Sequence, residues 1–130
     1  MKVTFLVQAG ITSALKELMQ GFDEFYWAVA WGTENKLAVD LVSDKKKIKR
    51  LIFGTHFYQS DPNLLERFKN EKFARVMPND ATGTFHPKVY LFIKGDKAAV
   101  VVGSANFTNG AMNKNNEAAV LIEGATTDET

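Results

Sequence analysis

Strand and helix signals alternate through the first half of the chain and then give way to a hairpin, and that order dictates the architecture. Val3–Gln8, Phe25–Trp31, Ile48–Phe53 and Phe73–Met77 are short apolar segments that read as strands. Between them lie helical patterns. Thr12 or Ser13 can cap a helix with Leu15, Leu18, Met19 and Phe22 on one face, stopped at Gly21. Thr33 opens a second helix carrying Leu37 and Leu41, and Asp61-Pro62 opens a third carrying Leu64, Leu65 and Phe68. Pro78–Gly83 reads as a loop. Strands separated by helices form parallel pairs with helices laid on the sheet. Phe85–Lys94 and Lys97–Val102 then face each other across Gly95-Asp96, a two-residue turn with glycine first, which is a hairpin signal. Asn106–Asn115 is polar and irregular, and Glu117–Ile122 is a last strand. The expected fold is α/β, a mixed central sheet flanked by helices, in one domain over residues 1–130, with 125–130 frayed.

Composition removes several classes of function. The chain has no cysteine, so thiolate zinc sites, disulfides and a cysteine nucleophile are excluded. It has two histidines, His56 and His86, too few for a multi-histidine metal site within one chain. Neither a metal nor a cofactor is expected. A net charge of +1 creates no global field for a polyanion, so nucleic-acid binding has to rest on a local patch. Lys45-Lys46-Lys47 with Lys49 and Arg50 is the one basic cluster, and Lys46, Lys47 and Lys49 are the candidates for phosphate-backbone contact. No apolar run reaches the length of a membrane span, no signal pattern opens the chain, and the lack of cysteine fits a cytoplasmic protein.

Chemistry concentrates in TFHPKVYLFIKGDKAAVVVGSANFTNG. Alternation places His86, Lys88, Tyr90 and Phe92 on one face of a strand. A two-residue turn pairs Lys88 with Gly103 and His86 with Ala105, two small residues that leave room beside the basic pair. Ser104 and Asn106 reach the same space once the chain leaves strand geometry near Gly103. Phe25, Trp27, Val29 and Trp31 form an alternating stripe, read as core or interface packing. His56 follows Gly54-Thr55 at a strand end and is read as structural.

This segment resembles the phospholipase D superfamily signature, His-x-Lys, a spaced Asp, then Gly-Ser-x-Asn. His86, Lys88, Gly103, Ser104 and Asn106 match it. Ile93 stands where the Asp is usual, and Asp96, which keeps the spacing to Gly103, is read as a turn residue. Glu117 fills the position of a glutamate that follows the asparagine in metal-independent restriction endonucleases and helicase-linked nucleases of that superfamily. The resemblance implies a metal-independent nuclease acting on DNA, with His86 as nucleophile forming a phosphohistidine. Lys88 and Asn106 would hold the non-bridging oxygens, Ser104 would add a hydrogen bond, and Glu117 would orient His86. One motif supplies one histidine, so the resemblance further implies a homodimer with both copies of His86 at the interface. A lipid phosphodiesterase or phosphatidyl transferase, and a non-catalytic dimerising nucleic-acid-binding module, are the alternatives.

Overall fold

In the computed structural model, which describes residues 1–80 and 82–128, all the strands join one sheet. The elements are β1 (Lys2–Val7), α1 (Ala9–Gly21), β2 (Glu24–Val29), α2 (Ala38–Ser43), β3 (Ile48–Gly54), α3 (Pro62–Glu66), β4 (Ala74–Met77), β5 (Lys88–Lys94), β6 (Lys97–Gly103) and β7 (Ala118–Ala125). Their order across the sheet is β1-β7-β6-β5-β2-β3-β4. β2, β3 and β4 run parallel, as their helical connections require, and β5, β6, β7 and β1 are antiparallel to their neighbours. The sheet is mixed, as expected.

The core lies between the sheet and the three helices. Phe25, Trp27 and Val29 of β2, Leu51 and Phe53 of β3, and Tyr90 and Phe92 of β5 are buried on the helical side. Ile11, Leu15 and Met19 of α1, Leu41 of α2 and Leu64 of α3 close over them. Each such side chain contributes about 1.5–3 kcal/mol through burial. Trp27 is the hub, with ring centroids of Phe25, Tyr90, Phe92 and Phe107 at 5.8, 5.0, 5.7 and 5.4 Å.

Phe107 does more than fill space. Its N–H donates to the Trp31 carbonyl at 3.2 Å and its carbonyl accepts from Thr33 N–H at 2.9 Å. These two bonds pin the segment after β6 to the segment after β2. They also explain why the second helix starts late. Thr33 is held in this bridge, with its hydroxyl accepting from Asn109 N–H, so α2 begins at Ala38 and Thr33 caps nothing.

Other boundaries also move for identifiable reasons. α1 starts at Ala9, ahead of Thr12 and Ser13, because Gln8 takes φ +49° and turns the chain at once. Thr12 is buried and its hydroxyl donates to the Met112 carbonyl at 3.0 Å. Asp61 does cap α3, accepting from Asn63 N–H at 2.8 Å, with Pro62 following. β5 starts at Lys88 rather than Phe85 because Pro87 has no N–H for the ladder, although its carbonyl accepts from Ala30 N–H at 2.7 Å. Gly95 carries φ +58° at the first turn position of the β5–β6 hairpin, a conformation a side chain would resist. The fraying expected from Ala125 is not seen through Asp128. Ala125 pairs with Lys97, Thr126 N–H donates to the Asp96 carbonyl at 2.8 Å, and the Asp128 carboxylate accepts from Ala125 N–H at 2.8 Å. Glu129 and Thr130 lie outside the described residues.

Candidate active site

β2 and β3 end where β5 begins, and the loop after β6 is pinned to the same place. A cleft of about 490 Å³ opens there, lined by Trp31, His86, Lys88, Ser104, Asn106 and Glu117, with Gly103 and Asn115 on its rim. The five residues of the motif therefore meet.

His86 precedes the first residue pair of β5 and is exposed at the cleft mouth. Lys88, two residues on, points inward and is only 8% exposed. Its Nζ lies 2.8 Å from each ring nitrogen of His86 and donates to the His86 carbonyl at 3.1 Å. The ammonium can donate to whichever ring nitrogen holds a lone pair. Burial pushes the Lys88 ammonium below its ordinary range, and the nearby Glu117 carboxylate pulls it back up. Trp31 walls the cleft. Its ring meets that of His86 edge-on at 5.3 Å and lies 5.7 Å from Lys88 Nζ.

Asn106 is also almost fully buried, 9% exposed. Its Oδ1 accepts from Trp31 N–H at 3.2 Å. That bond fixes which way the amide faces. The acceptor is used up, and Nδ2, which has no hydrogen-bond partner among the described residues, is left as a donor beside the cleft. Beneath it, the buried Tyr90 hydroxyl donates to the Ala105 carbonyl at 2.9 Å and holds the adjoining peptide. Burial, with Glu117 adding to it, drives the Tyr90 phenol well above its ordinary range.

Glu117 lines the same cleft as His86 but is bonded to other residues. Among the described residues its side-chain bonds go to the Ser104 hydroxyl and, at 3.2 Å, to Asn115 Nδ2, and none goes to His86. Ser104 ties the two strands together, its N–H donating to the Ala118 carbonyl at 2.9 Å and its Oγ accepting from Ala118 N–H at 3.1 Å. Serine and glutamate thus form one latch on the cleft floor. Gly103 also has a different role from the one its size suggested. An added Cβ would meet the β7 backbone, not the cleft.

The remaining candidates lie elsewhere. Lys46, Lys47 and Lys49 sit at the start of β3, whereas the cleft lies beyond its end, roughly 16 Å away at the rise of a strand. Lys47 is occupied, donating to the Met19 carbonyl at 2.8 Å. Asp96 is a turn residue at the far end of the β5–β6 hairpin from His86. His56 is buried, 4% exposed, with neither ring nitrogen bonded among the described residues. Trp31 and Asn115 are the two cleft residues that sequence reasoning missed. Trp31 continued the buried stripe by parity, and Gly32 after it was the sign that the strand had already ended. Asn115 carried no signal within a polar segment.

A sequence profile described as "cardiolipin synthase, PLD-like domain" matches residues 12–129. The chain belongs to the phospholipase D-like domain family. No curated protein sequence matches it. Among solved structures, it is similar to Nuc of Salmonella typhimurium, a phospholipase D family member, with a TM-score of 0.65 and 19% identity over 93% of this chain and 83% of that one. NucT of Helicobacter pylori aligns with a TM-score of 0.54 and 20% identity over 92% of this chain and 84% of its own. Yeast tyrosyl-DNA phosphodiesterase aligns with a TM-score of 0.56 and 12% identity over 99% of this chain but only 34% of its own. The fold is that of the phospholipase D-like family, whose solved members include phosphodiesterases. Among the described residues, no helix is long and apolar enough to cross a membrane, and no group of three or more His, Asp or Glu side chains is gathered to hold a metal ion.

Proposed function

We propose that this chain is a metal-independent phosphodiesterase that hydrolyses DNA through a phosphohistidine on His86, in a site completed by a second copy of the chain. The observation that carries this reading is the contact between the exposed His86 ring and the buried Lys88 ammonium at 2.8 Å, beside the donor left free on Asn106. A phosphate entering the cleft takes the ammonium away from the imidazole. Lys88 Nζ and Asn106 Nδ2 then donate to the non-bridging oxygens, and the freed ring nitrogen faces phosphorus. As the N–P bond forms, the bond to the leaving oxygen breaks, and that oxygen takes a proton from the His86 of the second copy. Water next attacks phosphorus, gives its proton to that second imidazole, and the N–P bond breaks. Glu117 acts on Lys88 rather than on His86, keeping the ammonium charged against desolvation.

DNA is the favoured substrate because the fold is shared with a tyrosyl-DNA phosphodiesterase and the cleft is open and polar-lipped. The description of the matching family favours a second reading, phosphatidyl transfer, and hydrolysis of anionic liposomes separates the two. The decisive assay is turnover of bis(p-nitrophenyl) phosphate and of a DNA strand, with and without EDTA. Activity should be indifferent to the chelator, bell-shaped in pH because the two imidazoles start in opposite protonation states, and absent in His86→Ala. Loss of activity on chelation, or turnover by His86→Ala, would overturn the mechanism.

A further inference from the structure

The segment after β3 holds two aromatic side chains in a backbone conformation that such residues rarely adopt. Phe57 has φ +59° and Tyr58 φ +53°. A single bulky residue at positive φ is an outlier, and asparagine or glycine would sit there with less strain. Packing does not explain the rings, since Phe57 is 61% and Tyr58 89% exposed.

The surrounding backbone forces the conformation. Tyr58 N–H donates to the Thr55 carbonyl at 3.1 Å. Ser60 Oγ donates to the Gly54 carbonyl at 2.6 Å and accepts from Gly32 N–H at 3.1 Å, so the turn is riveted to the residue next to Trp31. The result is a firm ledge of exposed aromatic surface, not a loose loop.

The ledge is continuous with the cleft. The Phe57 ring lies 6.4 Å from that of Trp31, which lies 5.3 Å from that of His86. Both ring pairs are near-perpendicular, so the aromatic faces step outward from the reacting imidazole. A nucleic-acid strand advances about 3.4 Å per stacked nucleotide. A phosphate at His86 therefore brings its neighbouring bases within reach of Phe57 and Tyr58. The basic cluster lies at the other end of β3, so this aromatic face is the surface next to the cleft.

We propose that Phe57 and Tyr58 form a stacking ledge for unpaired bases flanking the scissile phosphate, which makes single-stranded nucleic acid the preferred substrate class. This rests on the reading of the cleft as a phosphodiesterase site. Bases paired inside a duplex present no face to the ledge, whereas an unpaired base stacks on it without regard to sequence.

The test measures binding apart from turnover. Fluorescence anisotropy on the His86→Ala protein compares labelled oligothymidylate with an abasic strand of equal length. Stacking is worth about 1–3 kcal/mol per base, so the oligothymidylate should bind roughly 5- to 100-fold tighter. Phe57→Asn and Tyr58→Asn keep the left-handed turn and remove the rings. Each should bring the two strands toward equal affinity, while Phe57→Trp keeps the preference. Equal affinity for the two strands, binding of neither, or a preference that survives both substitutions overturns the ledge. A ring-dependent preference in a protein that hydrolyses no phosphodiester would instead sink the catalytic reading and leave the ledge standing.

Discussion

Gly103→Ala should damage stability and activity together, and the size of the effect follows from the β6–β7 contact. A Cβ at this position would collide with the Ala118 carbonyl oxygen and lie 2.5 Å from Ala119 Cα and 2.7 Å from Ala119 Cβ. Comfortable carbon contacts begin near 3.5 Å, so each falls short by about 1 Å. Two of the three atoms are backbone, in a strand hydrogen-bonded to this one, and no rotamer relieves them. Overpacking costs about 1–3 kcal/mol where side chains can yield, so the upper end, about 3 kcal/mol, applies here. For a chain of 130 residues that amounts to a fall of roughly 10 °C in Tm. Relief requires β6 to move away from β7, which carries Ser104 and Asn106 with it. A displacement of about 1 Å at the cleft costs on the order of 100-fold in kcat. Thermal unfolding by circular dichroism and turnover of bis(p-nitrophenyl) phosphate measure the two effects. Gly10→Ala is the internal control, because nothing lies within 4 Å of a Cβ there and alanine favours α1 by roughly 0.5–1 kcal/mol. A Gly103→Ala protein with wild-type Tm and kcat would refute the close-approach argument.

Two further substitutions act on titrating groups, read from urea midpoints between about pH 8 and 11. Because burial depresses the Lys88 ammonium below its ordinary 10.5, the unfolded chain binds that proton more tightly, and stability gains as pH rises toward 10.5. Lys88→Met should raise Tm at neutral pH, abolish that gain and stop turnover; a fall in Tm would show that the ammonium stabilises the fold. The buried Tyr90 phenol has the opposite sign: its raised pKa means that stability is lost as pH climbs above 10, where the unfolded chain ionises. Tyr90→Phe should remove that alkaline loss and cost about 1–3 kcal/mol at neutral pH by orphaning the buried Ala105 carbonyl. An unchanged midpoint at neutral pH would mean that the hydroxyl contributes nothing there.

The sheet was legible because its strands are short apolar runs set between helical or polar segments. Asp61-Pro62 and Gly95-Asp96 were read correctly because their backbone requirements are local. Thr12 and Thr33 were misread because their hydroxyls serve partners distant in sequence, Met112 and Asn109. The site was legible as a motif but not as a circuit. Which atom Asn106 presents depends on a bond from Trp31, and which residues hold Glu117 depends on how β6 meets β7. Neither follows from spacing. The placement of the basic cluster was illegible for the complementary reason: charge density along the chain says nothing about which end of a strand faces the cleft.

The cleft itself argues for a second copy. Turnover through a phosphohistidine needs a proton donor for the leaving oxygen, distinct from the nucleophile. The chain contains two histidines, and the second is accounted for: His56 is 4% exposed, packed 6.4 Å from the Phe57 ring with its nitrogens closed off from solvent. Lys88 is committed to the imidazole or to the incoming phosphate, and its charge is what the transition state needs, so giving up its proton would remove the stabilisation it supplies. Glu117 is fastened to Ser104 and Asn115 on the floor. His86, by contrast, stands exposed at the mouth of the cleft. In the proposed mechanism a two-fold axis across that mouth would supply the missing acid with the same residue that supplies the nucleophile, and it would need only one self-complementary surface to do so. On that proposal, the exposure of His86 follows from a reaction centre built as two halves.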